Sequence, residues 1–457
     1  MKILVQKFGG TSVAEQKNRV LAVRKVKQAI EAGFAPVVVV SAIGRKGAPY
    51  ATDTLAEVLR NIDPQVTPAP REMDTMMACG EIISTVVFAQ TLQAFGVKAI
   101  ALTGGQAGII TDDNFGNARI LEIRPHYLRR LIEQGFVPVV CGFQGITDPT
   151  EEYEHGAITT LGRGGSDTTG SALGVALNAV AVEIYTDVDG VKTADPDSVL
   201  AARTIDICTY EEVAEIAHQG AKVVHPRAAE IAMDHNIPLW VKSTFSDSPG
   251  TRITRHDAPD AIRSRITGIT HTGKLVYIRL EIENQEHKSI VEREVYRMMA
   301  KAKVSIFLVT FSPTTLSFCV PRSQYPVAKD LLDGMIVPVA LEMPDAEGRT
   351  AVYYIFRYLN GLDLAYRVQR PLLEAVAKQV HIVDVPVSSV ENCTVVSVIA
   401  SKHRRVSGVL ARIYQVLLEA KITVYQTADS EMSISCLIPE SEVDRAVRLL
   451  HAELIEK

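Results

Sequence analysis

Cysteine is scarce in this chain, and the six residues present, at positions 79, 141, 208, 319, 393 and 436, form no CxxC pair. That spacing argues against a zinc ribbon or a disulfide framework and fits a reducing cytosol. Neither sign of charge dominates: 48 Lys and Arg stand against 53 Asp and Glu, for a formal net charge of -5 and a pI near 6.2. Without a basic field, no nucleic-acid or anionic-membrane partner is indicated, and a small-molecule ligand is the expectation. Long apolar runs are missing too, since none approaches the ~20 residues of a membrane span. From Met1 the chain passes through Ile3 to Val5 straight into a glycine loop, without the apolar core of a signal peptide. A soluble, cytoplasmic protein is therefore expected. The 457 residues are 47% hydrophobic and 22% charged, the composition of roughly two to four ordinary globular domains.

Residues 1 to about 260 alternate β-branched runs with helical patterns. The runs are Ile3 to Val5, Pro36 to Val40, Ala99 to Leu102, Val137 to Val140 and Val182 to Tyr185. Such alternation predicts a mainly parallel sheet covered by helices. Val20, Val23, Val26 and Ile30 recur at helical spacing before Gly33, so the first unit reads strand, loop, helix, strand. After residue 265 the chain repeats itself at a displacement of 118 residues: Tyr296, Ala302, Lys303, Ser317 and Pro321 meet Tyr414, Ala420, Lys421, Ser435 and Pro439. Each copy reads strand, helix, strand, strand, helix, the ferredoxin-like order. The expected divisions are 1–260, 265–342, an unassigned inserted segment 343–391, and 392–457.

The loop Lys7-Phe8-Gly9-Gly10-Thr11-Ser12 carries the first chemistry. Ser12 and Glu15 have the S-x-x-E spacing of a capping box, which would set Gly9, Gly10 and Thr11 at a helix N-terminus. Free N–H groups and the positive dipole end suit an anion there. Glycines let a phosphate approach, and Lys7 can neutralise a transferring phosphoryl group. Read alone, the segment is more simply a strand-to-helix turn beside a surface lysine, since Gly-Gly turns are common. A second glycine loop, Thr160 to Thr168, strengthens the phosphate reading: Arg163 offers a fork for a carboxylate, and Asp167 can orient Lys7 or simply cap a helix. Gly162, Gly164 and Asp167 fail G-x-G-x-x-G at the third glycine. Gly268 to Lys274 fits G-x-x-x-x-G-K, but Leu275 lacks the hydroxyl and a strand follows.

These residues resemble the aspartokinases of the amino acid kinase family. KFGGTS, GRGGSD, the TDVDG run Thr186 to Gly190, the GAKVVHP run Gly220 to Pro226 and KSTF at Lys242 to Phe245 occur in the family's order. The resemblance spans about residues 1–340 and 392–457. It implies an α/β amino acid kinase fold, a mainly parallel sheet between helical layers, followed by two ferredoxin-like α+β ACT modules. It implies transfer of the ATP γ-phosphate to the side-chain carboxylate of L-aspartate, with Mg2+ accompanying ATP and no metal ligand assigned to the protein.

Residue by residue, the resemblance makes Lys7 and Asp167 catalytic. Thr11, Ser41, Glu81, Arg163, Gly164, Gly165 and Ser166 would meet the substrate, Glu81 taking its α-ammonium and Arg163 its α-carboxylate. Lys7, Gly9, Gly10, Ser41, Thr186, Asp187, Lys192 and Lys222 would meet the nucleotide, although Lys192 and Asp197 replace the Tyr and Arg often found there. Lysine, threonine or meso-diaminopimelate would act as effector, and the ACT pair would support a homodimer or larger oligomer. In the second copy Arg405, Val406, Ser407, Gly408 and Val409 would form the effector loop. The first copy has His287-Lys288-Ser289-Ile290 without the glycine. Two other readings stay open: a kinase for another amino-acid carboxylate, and an impaired ACT-bearing sensor.

Overall fold

The computed structural model describes all residues except 221–223, 256–265, 342, 344, 346–347, 360–362, 377–379 and 401–407. The chain divides into two units, Met1–Gly268 with Ile399–Val406, and Ile269–Val398 with Ser407–Lys457. In the first, the elements in order are β1 (Lys2–Phe8), α1 (Gly10–Ala14), α2 (Gln16–Glu31), β2 (Phe34–Val40), α3 (Thr52–Arg60), α4 (Pro70–Ala94), β3 (Ala99–Leu102), β4 (Ile109–Thr111), β5 (Ile120–Ile123), α5 (His126–Glu133), β6 (Val137–Cys141), β7 (Gln144–Thr147), β8 (Ile158–Thr160), α6 (Gly165–Leu177), β9 (Ala181–Thr186), β10 (Ile207–Thr209), α7 (Tyr210–His218), α8 (Pro226–His235), β11 (Leu239–Ser243) and β12 (Thr251–Thr254).

All five runs predicted as strands fall in one eight-stranded sheet, ordered β10-β12-β11-β9-β1-β2-β6-β3. Its pairings are parallel except β11 with β12. A parallel sheet covered on both faces needs uninterrupted apolar strands, which is why Val37, Val38, Val39 and Val40 are all fully buried. Along β1, Ile3 and Val5 belong to one core cluster and Phe8 to another, as two-residue alternation requires. Lys7 therefore leaves the sheet on the face of Ile3 and Val5. Since β2 and β9 flank β1 on opposite sides, the carboxyl end of β1 opens the crevice where open α/β sheets bind ligands. A second sheet, β5-β4-β7-β8, leads into the loop before α6.

The second unit contains β13 (Ile266–Glu281), α9 (Gln285–Lys301), β14 (Phe307–Phe311), β15 (Thr315–Pro321), α10 (Tyr325–Leu332), β16 (Ile336–Ala340), β17 (Ala351–Tyr358), α11 (Leu364–Val376), β18 (Val380–Ala400), α12 (Val409–Glu419), β19 (Gln426–Asp429), β20 (Ser433–Pro439) and α13 (Val443–His451). Its sheet runs β14-β15-β13-β18-β17-β16, with β20 on both β18 and β19. The two helical repeats pack as the ferredoxin-like pattern requires: Val291, Val295 and Met299 of α9 join Val276, Ile278 and Leu280 of β13 in one core. The inserted segment is a strand-helix-strand crossover. Its β17 pairs in parallel with Val380 to Val387 of β18, and both strands stand between β13 and β16.

Candidate active site

β1 carries Lys7 to its carboxyl end, where Nζ lies 2.6 Å from Asp167 Oδ1 and the two side chains are only 11% and 13% exposed. Asp167 sits in the first turn of α6, after the N-cap Gly164. Its second oxygen accepts the backbone N–H of His225 at 3.4 Å. Gly164 holds φ +71°, and a Cβ there would meet the His225 ring at 2.1 Å, so only glycine fits. Two residues along from the α8 N-cap His225, Arg227 donates to Leu161 O at 3.0 Å. The GRGGSD loop and the His-Pro start of α8 thus interlock. Gly165 and Ser166 are buried at this turn, with Ser166 against Gly142. The result is an ammonium fixed by a partly buried carboxylate, a preorganised charge at a water-poor strand end.

The Ser12–Glu15 capping box does not form. α1 begins at Gly10 with extended Gly9 as its N-cap, and neither α1 nor α2 has a side-chain cap. Ser12 lies inside α1, where its hydroxyl is the acceptor of Thr244 Oγ1 at 2.7 Å. Gly9 N donates to Tyr185 O at 3.1 Å and Ser41 N to Phe8 O at 3.1 Å, which brings the ends of β1, β2 and β9 together. A Cβ on Gly10 would come within 2.6 Å of Gly44 O and 2.7 Å of Ala42 O. The close approach of two loops, not helix capping, is what glycine serves at that position. Thr11 is partly buried, its carbonyl held by Asn18 Nδ2 at 2.9 Å.

Ala42 links this loop to Glu81. Its N–H donates to Glu81 Oε1 at 3.1 Å, while Glu81 Oε2 is buried without a hydrogen-bond partner among the described residues. Burial pushes the Glu81 carboxyl up to about 8. Gly80 makes the crossing possible, since a Cβ there would meet Tyr50 O at 2.7 Å. A buried carboxyl with one bare oxygen suits a cation delivered by a ligand. The nearby Cys141 thiol is raised by burial to about 12 and stays protonated.

The remaining predicted residues are less closely drawn in. Arg163 is exposed and makes no ion pair among the described residues. Thr186 Oγ1 donates to Asp187 Oδ1 at 3.1 Å, and Asp187 Oδ2 pairs with Arg45 at 2.6 Å. Lys192 is engaged elsewhere, donating to Thr204 Oγ1 at 2.8 Å, and Asp197 is exposed. Lys222 lies outside the described residues, as do Arg405, Val406 and Ser407. Gly408 has φ +83° as the N-cap of α12, followed by buried Val409. In the first repeat His287 Nδ1 is 2.7 Å from Tyr354 OH of the inserted β17.

Sequence reading missed Asp74, Arg45 and the part His225 plays. Asp74, fully buried on α4, accepts from Gly116 N at 2.9 Å, Thr160 N at 2.7 Å and Thr160 Oγ1 at 2.8 Å. It ties α4 to the strand that launches the GRGGSD loop, and burial raises its carboxyl. A carboxylate inside the apolar helix Pro70–Ala94 was the available signal.

Residues 2–243 match the amino acid kinase family and residues 388–452 match the ACT domain. The chain is 38% identical over 455 residues to Aspartokinase 1 of Bacillus subtilis (strain 168), covering 99% of this chain and 98% of that protein. It is 34% identical over 459 residues to an aspartokinase of Mycolicibacterium smegmatis, covering 99% of this chain and 96% of that one. Among solved structures, E. coli aspartokinase III in complex with aspartate and ADP shares the fold, with a TM-score of 0.70 at 24% identity over 99% of this chain and 100% of the other.

Proposed function

The chain belongs to the aspartokinases of the amino acid kinase family, and we propose that its β1 crevice performs their reaction with Lys7, Asp167 and Glu81 as the working groups. It is an aspartate kinase: the L-aspartate side-chain carboxylate attacks the γ-phosphorus of ATP, the bond to the β,γ-bridging oxygen breaks, and 4-phospho-L-aspartate and ADP leave. The nucleophile has a pKa near ~3.9 and is already ionised at neutral pH, so no general base is required. What must be overcome is the repulsion of two anions brought into line.

The observation that carries the assignment of roles is the Ala42 junction. Its N–H holds Glu81, and its carbonyl lies beside Gly10, three residues after Lys7 in the helix-entry loop. Glu81 takes the substrate ammonium, Arg163 closes on the α-carboxylate, and Lys7 stabilises charge on the transferring phosphoryl group. Asp167 fixes Lys7 before substrates arrive. Gly9, Gly10 and Ser41 line the phosphate path, while Thr186 and Asp187 face the nucleotide. Among the described residues no three His, Cys, Asp or Glu side chains converge as a metal site. Mg2+ accompanying ATP would neutralise charge on the phosphates.

The ACT repeat serves amino-acid feedback by lysine, threonine or meso-diaminopimelate. The second module supplies the effector loop through Gly408, while in the first, where Ile290 takes the place of that glycine, the neighbouring His287 is bonded to the chain's own Tyr354. Incubation with MgATP, L-aspartate and hydroxylamine should yield aspartyl hydroxamate. Lys7→Ala should lower its rate by about 10²–10³-fold with the circular dichroism unchanged. Near-normal turnover in that variant would overturn the role of Lys7, and failure of all three effectors to alter rate or melting would overturn the feedback reading.

A further inference from the structure

The inserted helix α11 carries an apolar stripe that its own fold leaves bare. Tyr366 and Arg370 turn inward to Asp384, Tyr366 bonding it at 3.0 Å and Arg370 pairing with it. On the opposite face Leu364, Val368, Leu372 and Val376, spaced four residues apart, are 63%, 60%, 58% and 83% exposed. A ridge of that spacing runs about 18 Å along one side of a helix. Exposed contiguous apolar surface of this kind marks an association site.

Charge placement selects the occupant. On one flank of the ridge Arg367, paired with Asp363 at 3.2 Å, is still 68% exposed, and Glu374, paired with Arg370 at 2.8 Å, is 51% exposed, so both keep a solvent side that a second copy can reach. If a second α11 lies antiparallel across the ridge about a two-fold axis near residue 370, Leu364 meets Val376 of the second copy and Val368 meets its Leu372. In antiparallel pairs the same flanks face each other, so Arg367 then comes opposite Glu374 of the second copy, and the converse pair forms by symmetry. The helix dipoles also oppose. A parallel pairing gains neither of these. We propose that α11 is a self-association surface that docks antiparallel on α11 of a second copy of this chain, a contact separate from the helices of the two ACT repeats and independent of the kinase assignment.

Light scattering of the full-length chain at micromolar concentration tests this. Val368→Glu with Leu372→Glu should halve the assembly mass while hydroxamate formation from aspartate persists. Arg367→Glu should weaken assembly, and adding Glu374→Arg should restore it. Equal masses for wild type and the double glutamate variant would overturn the proposal. So would an unchanged mass with a lowered melting temperature, which would mean that the ridge packs within one chain. Lack of rescue by the charge exchange would overturn the antiparallel arrangement.

Discussion

Burial leaves Glu81 with one bonded oxygen and one bare one, and this state favours the protonated carboxyl. Its folded value of about 8 stands above the ordinary 4.5. The native chain thus keeps a proton that the unfolded chain has lost between those values, and this group's contribution to stability falls as pH rises through that window. Glu81→Gln removes the charge that must be buried at high pH. Its melting temperature should exceed that of the native chain at pH 9 and match it near pH 4, while aspartate affinity collapses. An equal gain at both pH values would contradict the burial argument. Aspartate binding near pH 7 should also expel close to one proton, because the incoming ammonium stabilises the carboxylate. Calorimetry in buffers of different ionisation enthalpy reads this directly, and identical heats would refute it. Lys7 and Glu81 are named by the motifs, but the feature that sets Glu81 apart in the structure, a carboxyl buried with one oxygen unpartnered among the described residues, has no signature along a sequence. Asp74 does stand out as a carboxylate in an apolar helix, but what it ties together is not legible there, because the three hydrogen bonds it accepts come from residues 116 and 160.

Strands were the legible elements, because a covered parallel sheet demands apolar runs that announce themselves. The loop-to-helix junctions were not. Ser12-x-x-Glu15 has the spacing of a cap, yet the helix is capped three residues earlier, at Gly9, and Thr244 claims the serine hydroxyl. Tertiary approach set the junction, and Gly9 and Gly10 consequently differ in what they tolerate. A methyl on Gly9 has nothing closer than 3.6 Å, whereas on Gly10 it strikes two backbone carbonyls at 2.6 and 2.7 Å. Without nucleotide, Gly9→Ala should melt like the native chain. Gly10→Ala should lose about 1–3 kcal/mol and also bind aspartate more weakly, since one of the displaced carbonyls belongs to Ala42, which holds Glu81. Matching thermal shifts for the two variants would show that loop contact is not what glycine provides here.

At the scale of the molecule, self-similarity made the second unit readable, since Tyr296 and Tyr414 head matching copies of one pattern. The inserted segment resisted reading because its strands are defined by partners elsewhere: β17 and β18 sit between β13 and β16, and no local rule announces that. The chain also does not divide where its pattern changes. β18 begins in the second unit, yet Ile399 near its end belongs to the first, fully buried in the core cluster that holds Val5, Ile184 and Ile253. A residue more than a hundred positions beyond the kinase region therefore helps to hold it. Ile399→Ala should cost about 2–5 kcal/mol, the range for a truncated core isoleucine. In urea unfolding that loss should appear in the transition that MgADP and aspartate move to higher denaturant. Ile278→Ala, in the β13–α9 core, should affect the ligand-insensitive transition instead. If Ile399→Ala disturbs only that second transition, the strand end belongs to the regulatory unit, and the kinase core closes without it.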